Sequence, residues 1–234
     1  VVTAAVPFPL TGPGAVLDAV LAQVTSRTRL ALLDHVTSPT GLVFPIAELV
    51  RALDARGVDT LVDGAHAPGM LALDVGAIGA AYYTGNCHKW VCGPKAAGFL
   101  CVRRDRQTRI HPLVISHGAT VARTDRSRFH LEFDWTGTLD PSPYLCVPEA
   151  IRTLGALLPG GWPALRARNH STALAARQRL CAALGVPLPC PDDMIGSLAT
   201  IPLPDAPAPA AATWLAADPL QETLLARHGF EVPV

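Results

Sequence analysis

Three short apolar runs, each followed at once by a polar loop, constrain this chain more than any other feature. They are Arg29 to Val36, ending in Thr37-Ser38-Pro39-Thr40-Gly41; Thr60 to Asp63, ending in Gly64-Ala65-His66; and Ala80 to Thr84, ending in Gly85-Asn86-Cys87-His88-Lys89. Runs of this length and apolarity suit strands of a parallel sheet. Pro45 stands where a helix begins and Gly57 where it stops, between the first run and the second. Strands alternating with helices through short loops predict an α/β domain built on a mostly parallel sheet. Such sheets bind ligands beyond the carboxyl ends of their strands, which is where these polar loops fall.

Further elements follow from pattern. Val1 to Pro7, Ala97 to Val102 and Gly196 to Leu203 read as strands, and Glu231 to Val234 as the beginning of another. Ala15 to Val24, Leu145 to Leu158, Trp162 to Leu184 and Ala210 to His228 read as helices, with Pro204 to Pro209 a surface loop. The composition changes near residue 140, which predicts a large domain over 1–144 and the start of a smaller α+β domain over 145–234. With strand-like residues at both ends, the chain is expected to be a fragment of a longer enzyme.

Composition excludes several function classes. Of the 234 residues, half are hydrophobic and 16% charged, with zero net charge, so a buried core is expected and disorder is not. A neutral chain without a basic stripe offers no footprint for nucleic acid or an anionic membrane. The arginines at 103, 104, 106 and 109 read as a solvated turn. No apolar run approaches the roughly 20 residues that span a bilayer. The six cysteines lack paired knuckle spacing, so no metal site is expected; they read as mostly buried thiols of a cytoplasmic protein. The serine-elbow, phosphate-loop and dinucleotide fingerprints are absent from the sequence.

The chemistry is carried by a lysine, an acid and a histidine at successive strand ends. Lys89 follows a Gly-Asn-Cys-His loop and precedes Trp-Val-Cys-Gly-Pro, an apolar setting that favours the neutral, nucleophilic amine. Such an amine forms an imine with an aldehyde. Lys95, the competing lysine nearby, reads as solvated. Asp63 can hold a pyridine nitrogen protonated, and His66 can contact the same ring. On its own, Asp63 is equally a loop cap and His66 a structural histidine. Together the three groups are what a pyridoxal phosphate (PLP) enzyme needs.

The segments Asp34 to Gly41, Val62 to Gly69, Tyr83 to Trp90, Trp135 to Tyr144 and Met194 to Thr200 resemble those of class V, fold-type I PLP-dependent enzymes. Within that superfamily the chain is most similar to isopenicillin N epimerase-like proteins. The resemblance implies a PLP-transferase type I fold, a mostly parallel sheet sandwiched by helices with part of a smaller domain. It implies Lys89 as the cofactor-binding lysine, Asp63 on the pyridine nitrogen and His66 on the phenolic oxygen. It implies His88 and Asn86 at the phosphate, and Ser38 or Thr37 near the ring. Thr138 would reach the partner subunit's phosphate in a homodimer. The substrate would be an amino acid or small peptide, epimerised at Cα through an external aldimine and a quinonoid. The same branch includes C–S lyases of the hercynylcysteine sulfoxide type and cysteine desulfurases. A desulfurase needs a cysteine on a flexible loop, and Cys181 and Cys190 flank a Leu-Gly-Val-Pro-Leu-Pro turn instead. A reading of a different class is a truncated, inactive homologue that serves as a dimerising scaffold.

Overall fold

Helix α2 (Ile46–Asp54) shows why the core lies where it does. Its residues Ile46, Leu49, Val50 and Leu53 recur at the spacing of one helical face, and all four are buried. Burying one such side chain contributes roughly 1.5–3 kcal/mol. Gly57, at φ 70°, then turns the chain back into the sheet, a conformation that costs a glycine little.

In this computed structural model, which describes residues 1–203 and 218–233, α1 (Pro13–Leu21) precedes β1 (Leu30–Asp34). After α2 come β2 (Asp59–Asp63), the one-turn helix α3 (Val75–Ile78), β3 (Tyr82–Asn86) and β4 (Gly98–Val102). The sheet runs β1-β2-β3-β4, with the first three strands parallel and β4 antiparallel to β3. Leu33 and Val62 are paired in register, as are Val62 and Tyr83. All three enter the core with Val16 and Val20 of α1 and the apolar face of α2. The alternate row, Asp34–Asp63–Thr84, lies on the opposite face at the strand ends.

Helices α4 (Arg128–Phe133), α5 (Ser142–Gly155) and α6 (Gly161–Leu184) follow. After α6 the chain returns to the core through Cys190, Met194 and Ile195. Buried Arg177 of α6 ties this segment down, donating to the Cys190 carbonyl at 2.9 Å and pairing with Asp192. Val1–Pro202 forms one compact unit and Leu203–Val234 a second, in which α7 (Pro219–His228) is described.

Three expected strands are not formed. Residues 1–7 and 231–233 have no strand geometry. In 196–203, a strand is prevented by cross-packing: Gly196 abuts Met70, Thr200 Oγ1 donates to the Pro39 carbonyl at 3.3 Å, and pairing is confined to the bridge between Ile195 and Leu42. The loop expected over 204–209 lies outside the described residues, as do 210–217 of the expected helix.

Three of the four arginines after β4, Arg103, Arg106 and Arg109, form an ion-pair cluster rather than a solvated turn, while Arg104 is exposed. Arg106 holds Asp59 at 2.8 Å, Arg109 reaches the same carboxylate at 3.4 Å, and Arg103 bonds Asp54 at 3.0 Å. They pin the amino end of β2, away from the polar loops. The Arg106 hydrogen bond leads the effects that hold the Asp59 carboxyl below its usual 3.8. A carboxylate depressed in the folded state stabilises above its unfolded pKa, and that contribution fades as pH falls through the folded value. Asp59→Asn is therefore expected to lower the melting midpoint at pH 7 by about 2–4 °C, with the gap to wild type closing as pH falls below the ordinary carboxylate range. Thermal melts across pH check this; a gap that widens in acid contradicts it.

Candidate active site

The amine-bearing loop is a rigid β–β connection. Cys87 N–H donates to the Ala97 carbonyl at 2.9 Å, Gly93 N–H to the Cys87 carbonyl at 2.8 Å, and Cys92 N–H to the Lys89 carbonyl at 3.1 Å. These bonds close residues 87–97 into a tight excursion between β3 and antiparallel β4, with Lys89 half-buried at its tip.

The turn after β2 meets that loop by backbone contact. Gly69 has φ +83°, and a Cβ there would stand 2.7 Å from the Trp90 carbonyl carbon and oxygen. Glycine is thus required twice, for its dihedral and for its missing side chain. The close approach brings His66 Nε2 to 3.0 Å from Lys89 Nζ. Burial, then the Lys89 charge, lowers the His66 pKa, with Asp63 opposing. A neutral imidazole that accepts from the ammonium at Nε2 carries its proton on Nδ1, and Nδ1 is buried without a partner.

Asp63 sits at the carboxyl end of β2 with its side chain exposed; one oxygen accepts from the Ala65 N–H at 2.9 Å. The second oxygen is available to a cationic N–H. Asp34 stands beside it in register, its pKa raised by burial and then by the Asp63 charge. Two neighbouring carboxylates make this end of the sheet a favourable place for a positive charge.

The remaining expected residues are distributed unevenly. Asn86 ends β3 opposite Gly98, and His88 Nδ1 is 3.3 Å from the Ala97 carbonyl, so both share the lysine loop. Thr37 is buried and its hydroxyl serves its own loop: it accepts from Leu42 N–H at 2.9 Å and meets Thr40 Oγ1 at 2.6 Å. Ser38 is exposed beside it. Thr138 is exposed, on the stretch between α4 and α5. Lys95 is exposed. Among the cysteines the expectation of mostly buried thiols is corrected: Cys92, Cys101 and Cys146 are exposed, on the lysine loop, the β4 edge strand and α5.

Sequence reasoning missed what supports the site. His35 and Tyr83 pair beneath the turn across 48 positions, a separation that no local motif signals. Gly64 and Gly69 were given no role; one glycine within the Asp-x-x-His spacing and another three residues beyond it were the available signal.

The family model for class V aminotransferases matches residues 6–213. The chain belongs to that family. A putative L-cysteine desulfhydrase 1 of Oryza sativa subsp. japonica is 35% identical over 212 residues, covering 85% of this chain and 42% of that protein. Isopenicillin N epimerase of Streptomyces clavuligerus is 36% identical over 204 residues, covering 82% of this chain and 50% of that protein. The chain thus spans half or less of the length of these relatives. The fold is that of solved fold-type I structures: the cystine C–S lyase C-DES, in complex with cysteine persulfide, superposes with a TM-score of 0.60 at 24% identity, over 72% of this chain and 46% of that one.

Pyridoxal phosphate is the cofactor. The donor set fits it: an amine for the aldehyde, a carboxylate for a protonated ring nitrogen, and a buried imidazole N–H that lacks an acceptor. Among the described residues no helix is long and apolar enough to cross a membrane, and no cluster of potential metal ligands occurs.

The Gly69–Trp90 approach yields a direct expectation. Gly69→Ala should separate the turn from the lysine loop and weaken PLP binding roughly tenfold or more, with helix and strand content retained. A fluorescence titration alongside circular dichroism checks it. Unchanged affinity would show that His66 does not depend on this contact.

Proposed function

We propose that this chain carries the cofactor-binding part of an enzyme acting at the Cα of an amino-acid or small-peptide substrate, with Lys89 as covalent anchor and base. The observation that carries the reading is the 3.0 Å approach of Lys89 Nζ to His66 Nε2, at the strand end that also bears Asp63. When bound, pyridoxal phosphate supplies an electron sink for the pair left on Cα as its proton departs.

The chain's own residues divide the remaining work. Lys89 takes and returns the proton at Cα, and His66, neutral through burial and the lysine charge, orients Nζ as its hydrogen-bond acceptor. Asp63 holds positive charge at the pyridine nitrogen, with Asp34 adding negative potential from the neighbouring strand. Asn86 and His88 cradle phosphate on one side, and Ser38, with Thr37 shaping its loop, borders the ring. Thr138, on its exposed stretch, contacts the phosphate of the partner in a homodimer. From residue 145 onward we read the start of a smaller domain of the complete protein, and we place the protein in the cytoplasm.

Return of the proton to the opposite face of Cα gives epimerisation, the outcome we favour, supported by 36% and 38% identity to the isopenicillin N epimerases of Streptomyces clavuligerus and Amycolatopsis lactamdurans. Loss of a β-substituent instead gives C–S cleavage, supported by the L-cysteine desulfhydrases at 34–35% identity.

Borohydride treatment of the PLP-loaded protein, followed by peptide mapping, is expected to place the reduced cofactor on Lys89, and Lys89→Ala to abolish both label and visible band. A label on Lys95, or none, overturns the assignment, and the absence of any label favours an inactive homologue. Incubation with amino acids in deuterated water then separates the outcomes. Epimerisation gives deuterium at Cα with inversion; C–S cleavage of L-cysteine releases sulfide, pyruvate and ammonia. Absence of Cα exchange across the panel would sink the Cα reading.

A further inference from the structure

The turn that carries Asp63 and His66 rests on a polar pair to which the proposed chemistry assigns no part. The Tyr83 hydroxyl and His35 Nδ1 lie 2.8 Å apart, and the two rings cross at 90° with centroids 6.0 Å apart. Both side chains are buried, Tyr83 at 1% and His35 at 8% exposure. Phe99 lies parallel to the phenol ring at a centroid distance of 6.3 Å. A Cβ on Gly85 would stand 2.5 Å from the Phe99 ring, so glycine there keeps the aromatic layer close to β3.

Gly64 sits directly against the phenol: a Cβ there would overlap the Tyr83 hydroxyl and its ring carbons. The same junction is clamped through its backbone. His35 N–H donates to the Asp63 carbonyl at 2.8 Å, and Gly64 N–H donates to the Thr84 carbonyl at 2.9 Å. The Asp63–Gly64 peptide is therefore held by β1 on one side, by β3 on the other, and by a phenol ring against its one small residue.

We propose that His35 and Tyr83 are positioning residues: their buried hydrogen bond sets the height of Gly64, and through it the placement of the Asp63 carboxylate and the His66 ring against a pyridine-type cofactor. This rests on the cofactor assignment above.

Packing alone does not account for the pair. Two aliphatic side chains would fill the space without burying a hydroxyl and an imidazole, whose desolvation costs free energy until they are paired. A polar pair has one favourable separation, whereas an apolar contact tolerates sliding, so the pair specifies position as well as filling volume. Its geometry is also insensitive to pH. Burial lowers the His35 pKa to about 4, and burial, then the Asp63 charge, raises that of Tyr83. Both rings stay neutral near pH 7, beneath a strand end whose titratable groups are Asp34, Asp63, His66 and Lys89.

The test compares Tyr83→Phe with Leu53→Ala, a cavity-forming control in the same core. Tyr83→Phe is expected to raise the PLP dissociation constant about tenfold and to move the pH midpoint of the bound cofactor's visible band. Leu53→Ala should lower the melting midpoint while leaving the band's pH midpoint and the affinity in place. His35→Asn, which keeps a polar atom facing the phenol, should fall between wild type and His35→Leu. A cofactor-free readout accompanies these: the NMR titration of the His66 imidazole should shift in Tyr83→Phe and not in Leu53→Ala. If Tyr83→Phe lowers only the melting midpoint, leaving the band midpoint and the His66 titration where they were, the inference is overturned. If wild type shows no cofactor band while Tyr83→Phe still shifts the His66 titration, the pair positions the turn and the cofactor assignment alone fails.

Discussion

The backbone clamp on the Asp63–Gly64 peptide is the constraint on which the rest of the site depends. A parallel strand between two others satisfies its amides and carbonyls on both sides, and β2 keeps this pattern one residue past its last pleat, through His35 and Thr84. Beyond that point the chain must turn. The acid at the turn is therefore held as firmly as a strand residue while its side chain already stands free of the sheet. His66 inherits that position three residues on, and Gly69 delivers the turn against the backbone of the lysine loop. The amine-to-imidazole contact at 3.0 Å is the end of this chain of restraints.

The antiparallel course of β4 has a functional consequence. Had β3 led into another parallel crossover, Lys89 would have stood at the start of a helix. Instead residues 87–97 return at once beside β3, and the Cys87–Ala97 and Cys87–Gly93 hydrogen bonds close the loop on itself. A long, flexible side chain is thereby presented from a short, inflexible base, the arrangement that pre-organised covalent chemistry needs. At the other end of β2 the arginine cluster around Asp59 anchors the strand, so both ends of the acid-bearing strand are tied, one by charge and one by backbone bonds.

Much of the fold was legible because it is periodic. The apolar runs of β1, β2 and β3 and the helix α6 read correctly within a residue or two, α2 lies between the start and stop expected at Pro45 and Gly57, and α5 begins and ends three residues earlier than its pattern suggests. The misreadings share one cause. Residues 1–7 and 196–203 have strand-like composition, but a strand exists only where a neighbour supplies the ladder, and composition carries no record of neighbours. The arginines after β4 were misread for the same reason, since Asp54 and Asp59, which join neighbouring Asp105 in pairing with them, lie 44 to 50 positions away. The Thr37 hydroxyl bonds within its own loop, a pairing that composition does not reveal.

By itself the sequence determined the fold class and which residues are candidates for the chemistry. A lysine, an aspartate and a histidine at the ends of successive apolar runs required only short-range pattern to recognise, because element type follows from local periodicity. Tertiary structure decided how those groups meet: His66 against Lys89 across 23 positions, and His35 under Tyr83 across 48. Such pairings arise from strand order and close backbone approach, which depend on where the chain returns rather than on what surrounds a residue in sequence.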